Sequence, residues 1–331
     1  MAGSYTLHGF DPSPYSVKLR AILRYRRIPF VWAASGNPRD VAVAAGLPPV
    51  IPVLRFPDGR LMNDTTPVAY ALEREHPGAR SIVPDDPVLA YLSDLLEDFG
   101  DEWITKMMFH YRWFYAADRA FAQTWIITSR DPAMPAAERQ AAMQAFNDRQ
   151  VGRMALVGCT EQNKPVIEES TNRVMDVLER HVSDEVYFFG TRPSLAEFGW
   201  FGQLSQLAVD PTPQDLMRER FPLTYRWLMS VDDASGVDGE WKPYGKIVPE
   251  LLAIAGTYYF PFLLANAAAA QKGAETFSVD LPGGSYSQGT FKYQVKCLSE
   301  LRAAYARLDA ETKAIVDPVL KASGCMEPLK G

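Results

Sequence analysis

The chain has 331 residues, 47% of them hydrophobic and 22% charged, with a net charge of −6 at pH 7. That length holds two domains, or one domain with a large appendage, and the composition is that of a soluble globular protein. The two signs of charge are interspersed without a basic block, which argues against a nucleic-acid partner. Cys159, Cys297 and Cys325 have neither metal-ligand nor disulfide-framework spacing, and no basic and apolar leader pattern opens the chain. Reduced thiols, no metal site and a cytoplasmic location are therefore expected.

The first elements alternate strand and helix. Residues 5–10 read as a strand and 16–26 as a helix, with Leu19, Ile22 and Leu23 on one stripe and Lys18, Arg20, Arg24 and Arg27 largely off it. Pro14 falls where a first-turn proline costs nothing, since the N–H it lacks would have no intrahelical partner. Residues 28–32 are β-rich, and a short helix over 39–45 is closed by Gly46. Strands at 51–56 and 60–63 flank the turn Pro57-Asp58-Gly59. A helix then starts at Thr65 or Thr66, capped by a hydroxyl, with Pro67 at its first position, and runs to about residue 75.

From residue 86 onward strand signals nearly vanish. Helices are expected at 87–128 with a break near 115, then at 136–157, 164–182, 195–208 and 214–230. Ser194-Leu195-Ala196-Glu197 has the spacing of a capping box. The uncharged run 251–271 approaches the length of a membrane span. Its alanines, Thr257, Pro261 and Asn266 favour a buried helix instead, so membrane insertion is not expected. A strand is expected at 276–281, with a turn at Pro282-Gly283-Gly284 that would let Ser285–Ser287 pair back. A closing helix follows with Phe291, Val295, Leu298, Leu301, Tyr305 and Leu308 on one face.

Three motifs carry the chemistry. Ser13-Pro14-Tyr15-Ser16 sets hydroxyls at the positive end of a helix, where free N–H groups favour an anion. The plainer account of the same residues is an ordinary helix cap. Val50-Ile51-Pro52-Val53 places a proline before a strand, and Asn63-Asp64-Thr65-Thr66-Pro67 places an acid and hydroxyls at a second helix start. In order and spacing these resemble the glutathione S-transferase superfamily. The resemblance implies a thioredoxin-like α/β domain over 1–80 and an all-helical domain over 86–239. Residues 240–331 form an extension of helix, β-hairpin and helix that the family pattern does not explain.

It further implies glutathione as co-substrate. Ser13 would donate a hydrogen bond to the glutathione sulfur, with Ser16 as runner-up. The absence of cysteine from this turn disfavours thiol–disulfide exchange. A cis Pro52 would expose the backbone of Ile51 to glutathione's cysteinyl portion. Asp64 and Thr65 would take the γ-glutamyl amino and carboxylate groups, and Arg39 is the candidate for the glycyl carboxylate. An apolar second-substrate pocket would draw on Tyr15, Met107, Tyr111 and Phe114. The expected activity is attack of the glutathione thiolate on an apolar or aromatic electrophile. That covers conjugation and the thiolytic ether cleavage of bacterial β-etherases. The chain would work as a homodimer; a non-catalytic binding or interaction protein on the same fold is the alternative.

Overall fold

The computed structural model describes residues 4–34, 36–78 and 80–331. The N-terminal region is a four-stranded mixed sheet in the order β2-β1-β3-β4, built from β1 (Tyr5–His8), β2 (Phe30–Ala33), β3 (Val53–Arg55) and β4 (Leu61–Asn63). β1 and β2 run parallel with Tyr5 opposite Phe30, and β3 is antiparallel to both β1 and β4. Helices α1 (Pro14–Tyr25), α2 (Pro38–Ala44) and α3 (Thr65–Glu75) connect and cover these strands. This is a thioredoxin-like arrangement, with the β-α-β-α-β-β-α order read from the sequence.

Two helix starts differ from expectation. α1 begins at Pro14 rather than residue 16, because the Ser13 side chain accepts the Ser16 N–H at 3.3 Å and starts the helix there. α3 begins at Thr65 but has no hydroxyl cap. Asp64 occupies the cap position without a capping bond, and Thr66 instead donates to Glu97 Oε1 at 2.5 Å.

The second region is all helical. α4 (Pro87–Phe99) runs through a π-helical turn, Gly100–Ile104, into α5 (Thr105–Phe114). The chain breaks at extended Tyr115 before α6 (Ala116–Arg130), as the sequence implied. α7 (Ala136–Val151) ends six residues earlier than expected at Gly152. α8 (Lys164–His181) and α9 (Leu195–Leu207) follow, α9 with both halves of its capping box formed. The single helix expected over 214–230 is two, α10 (Pro211–Arg220) and α11 (Pro222–Asp232). Pro222 has no N–H to continue the ladder and disfavours helical geometry at Phe221.

α9 is the centre of the core, with almost every side chain buried. It lies against α1 so closely that a Cβ at Gly202 would sit 2.8 Å from the Pro14 carbonyl oxygen. A glycine there lets the helix that carries Ser13 dock on the helical region.

The extension opens with α12 (Ile247–Ile254), a π-helical turn at Ala255–Tyr259 and α13 (Phe260–Gln271). Among the described residues this is the one helix apolar and long enough to cross a membrane. It is mostly buried, packing on α8 and on later parts of the extension. The hairpin of β5 (Thr276–Leu281) and β6 (Gly284–Gly289) turns through positive-φ Gly283 and Gly284. α14 (Lys292–Arg307) buries Leu298, Leu301 and Tyr305 as expected. The sequence reading missed α15 (Ala310–Ala322) and α16 (Met326–Lys330).

Candidate active site

A cavity of about 620 Å³ opens where the three regions meet. The thioredoxin-like region contributes Tyr15, the loop Pro48–Ile51 and the stretch Asn63–Thr66. Asn63 Nδ2 donates to the Pro48 carbonyl at 2.7 Å, tying that loop to the end of β4. The Ile51–Pro52 peptide bond is cis, as expected, with Ile51 on the wall and Pro52 buried. Asp64 and Thr65 both line the cavity at the N-terminus of α3. Asp64 has φ of 72°, a left-handed conformation that non-glycine residues rarely adopt and that clusters at functional sites. Burial raises its carboxyl pKa against the pull of Lys18 and Lys296.

The helical wall carries the charge. Glu97, Asp98, Asp101 and Glu102 lie along the end of α4 and the π turn. Lys18 of α1, fully buried, reaches Glu97 Oε1 at 2.5 Å and Asp101 Oδ2 at 2.6 Å. Burial still lifts Asp101 to about 7, with Lys18 opposing. The half-buried Asp98 accepts from Tyr259 at 2.6 Å, and burial drives its carboxyl well up. The Asp101 carbonyl, within the π turn, accepts from the Tyr15 hydroxyl at 3.0 Å. Thr105, Lys106 and Phe109 continue the wall along α5.

The extension closes the third side with Gln288, Phe291, Tyr293, Gln294 and Lys296. Lys296 stands close enough to Asp64 to lower its pKa, so an amino-acid-like group between them would meet an acid on one side and a base on the other.

The other expected residues fall elsewhere. Ser13 caps α1, is 8% exposed, and is not on the cavity wall, although its neighbour Tyr15 is. Ser16 is wholly enclosed beneath Gly9, its hydroxyl without a partner among the described residues. Arg39 sits half-buried on α2, away from the wall and near Arg149 and Arg153; burial and those two charges lower its pKa. The expectation for Met107, Tyr111 and Phe114 is corrected. Met107 and Tyr111 are packed in the core, and the Phe114 ring lies tilted against His110, centroids 4.6 Å apart. The face of the helix that meets the cavity carries residues 98, 102, 105 and 109; 103, 107 and 111 point into the bundle. The aromatic and methionine content was read, but not the face it occupies.

The acidic wall and the extension residues were missed. A signal existed: Asp94, Glu97, Asp98, Asp101 and Glu102 recur at helical spacing within an otherwise apolar stretch; Lys18, expected off the buried stripe, is in fact fully buried against them. Among the described residues no group of histidine, cysteine or acidic side chains is placed to hold a metal.

Comparison with known proteins follows this geometry. Residues 7–80 match the glutathione S-transferase N-terminal domain, and residues 138–228 match the C-terminal domain. No curated protein matches the chain. Among solved structures it is similar to a glutathione S-transferase from Methylobacterium radiotolerans in complex with glutathione sulfonate. That pair is 20% identical, covers 73% of this chain and 96% of that one, and has a TM-score of 0.39. It is also similar to a β-etherase from Sphingobium, 19% identical over 69% of this chain and 95% of that one, with a TM-score of 0.47. The two family matches cover the sheet that presents Ile51 and Asp64 and the later part of the helical region, residues 138–228, and the chain belongs to the glutathione S-transferase superfamily.

Proposed function

We propose that the protein is a glutathione-dependent transferase that delivers the glutathione thiolate to an apolar or aromatic electrophile. The observation that carries this reading is the joint presence of Ile51, beside cis Pro52, and Asp64-Thr65 on one cavity wall. Ile51 offers backbone groups to the cysteinyl portion of the tripeptide. Asp64 offers a carboxylate to its γ-glutamyl ammonium, and the first turn of α3 favours its carboxylate. Arg39 is our candidate for the glycyl carboxylate.

At the sulfur, a thiol of ordinary pKa near 8.5 must ionise. The N-terminus of α1 favours the thiolate, and the Ser13 hydroxyl hydrogen, with no acceptor among the described residues, is the side-chain donor we assign to it. Ser16 is too enclosed to serve. The electrophile would lie between Tyr15, Phe109 and Phe291, and both conjugation and thiolytic ether cleavage fit that space. We assign residues 1–80 to glutathione binding, 86–239 to the helical wall and 240–331 to closure of the cavity. We place the protein in the cytoplasm, in keeping with three buried free thiols, and expect a homodimer.

One observation favours the non-catalytic alternative: Ser13 spends its oxygen on capping and lies off the wall. Calorimetric titration with glutathione, alongside turnover of a generic aryl halide, separates the two. Ser13→Ala is expected to bind glutathione and lose conjugation. No binding at millimolar glutathione sinks the enzyme, and full activity in Ser13→Ala transfers the role to a backbone N–H of α1.

A further inference from the structure

Four arginines from distant parts of the chain gather beside the cavity. Arg39 lies on α2, Arg130 ends α6, Arg149 sits in the last turn of α7 and Arg153 follows it. The Arg130 and Arg149 guanidiniums stand 4.7 Å and 5.0 Å from the centre of one ring, Phe146, and Arg130 also lies 5.5 Å from Phe10. Burial lowers the pKa of Arg39, and the charges of Arg149 and Arg153 lower it further. Burial does the same to Arg130, aided by Arg149 and Arg39. The four guanidiniums are therefore close enough to repel one another. Arg39 and Arg130 are half-buried, whereas Arg149 and Arg153 are exposed.

Nothing described neutralises them. Arginines elsewhere find carboxylates, as Arg26 does with Glu73 and Arg112 with Asp210. Among the described residues none of these four side chains forms an ion pair or donates a hydrogen bond, and the enclosed Arg130 Nε–H has no acceptor. Asp40 and Asp148, each next in sequence to one of the four, accept from Asn37 and Gln144 instead. The C-termini of α6 and α7 offer about half a negative charge each, too little for four cations. The Phe146 and Phe10 faces attract cations but carry no net charge. Phe109 joins the cluster to the cavity, since it lines the cavity and packs on the apolar group that contains Phe146.

We propose that Arg130, Arg149 and Arg153, with Arg39 at the border, form a binding site for a doubly charged oxyanion of phosphate type. The single charge of the glycyl carboxylate assigned to Arg39 needs one guanidinium, so three positive charges are left over. Unpaired, partly buried cations cost stability until an anion completes the group. Arginine forks match phosphate oxygens two at a time, and forks arriving from α6, from α7 and from beyond its end can close on one tetrahedral group. The oxyanion belongs to a small molecule, either free phosphate or an aromatic phosphate whose ring reaches Phe109. This site does not depend on the transferase reading.

Calorimetric titration of the full chain with inorganic phosphate and with phenyl phosphate, at ionic strength held constant with sodium chloride, tests this. Wild type is expected to bind at millimolar phosphate. Tighter binding of phenyl phosphate places the oxyanion on an aromatic ligand, and equal binding identifies a free one. Arg149→Gln and Arg153→Gln, made at exposed side chains, should each weaken binding by about tenfold. Because each relieves repulsion, the thermal midpoint of the ligand-free variant should stay level or rise, where a structural role would lower it. With glutathione at saturation, phosphate affinity should stay within about threefold. No phosphate binding, or a destabilised Arg149→Gln that binds as well as wild type, overturns the site. Displacement of phosphate by glutathione also overturns it, because the cluster is then only the glycyl-carboxylate end. A protein that binds phosphate but no glutathione keeps this site and loses the transferase reading.

Discussion

Lys18→Met tests the charge arrangement behind the cavity wall. The substitution keeps the length of the stem and removes one ammonium. It leaves Glu97 and Asp101, at 4% and 8% exposure, facing each other without the cation that both contact within 2.6 Å. Breaking a buried pair by removing one partner costs about 3–5 kcal/mol. Two carboxylates are stranded here, so the upper half of that range applies, about 4–5 kcal/mol. At roughly 2 °C per kcal/mol for a chain of this size, the thermal midpoint should drop by about 8–10 °C. The effect should also depend on pH with a definite sign. Asp101, already lifted to about 7 by burial, loses the lysine that opposes that shift, so the folded variant binds a proton that the unfolded chain releases. Its stability therefore rises as pH falls from about 8 to 5. Urea unfolding and calorimetry at both ends of that range measure this. Adding Glu97→Gln and Asp101→Asn should recover most of the loss. A single variant within about 1 kcal/mol of wild type at pH 8, or one insensitive to pH, would refute the reasoning.

Glu168 accepts from His110 at 3.1 Å, from Lys164 at 2.8 Å and from the Tyr115 hydroxyl. Burial opposes its ionisation, but these bonds win and hold its carboxyl at about 2, below an ordinary 4.5. The stability this confers is present above pH 4.5 and lost as pH falls toward 2. Glu168→Gln should cost about 2 kcal/mol at pH 7, after discounting for its partial exposure, and almost nothing at pH 2, read as urea midpoints. In the extension, a Cβ at Gly256 would lie 1.9 Å from the Ser323 carbonyl oxygen. Gly256→Ala should therefore destabilise by about 3 kcal/mol in thermal melts, and an unchanged midpoint would show that the π turn can yield.

What could be read from the chain was local. The Ser13 cap, the Pro57-Asp58-Gly59 turn and the Ser194–Glu197 box each depend on a few adjacent residues, and each formed, while cis Pro52 was implied by the family resemblance alone. What could not be read depends on register or distance. The π turn at Gly100–Ile104 takes an extra residue, and no periodicity count announces it. Met107 and Tyr111 lie on the opposite side of their helix from Thr105 and Phe109, and only the packed bundle decides which side is solvent. Gln288 reaches Lys106 across 182 residues of chain, a separation at which side-chain type carries no positional information. The helix break at Phe221 was legible in principle, since Pro222 stood in the sequence. Its weight against a favourable apolar pattern was misjudged.

The uncharged helix through Ile247–Gln271 also has a consequence during synthesis. Its later covering partners, the hairpin, α14, α15 and α16, lie on its C-terminal side and end at Lys330. At about 5–20 residues per second they follow it out of the ribosome by roughly 3–12 s. During that interval the nascent chain displays a segment as long and apolar as a membrane span, with α8 the principal surface already waiting to receive it. Early docking on α8 is therefore what keeps this segment covered until the rest of the extension has emerged.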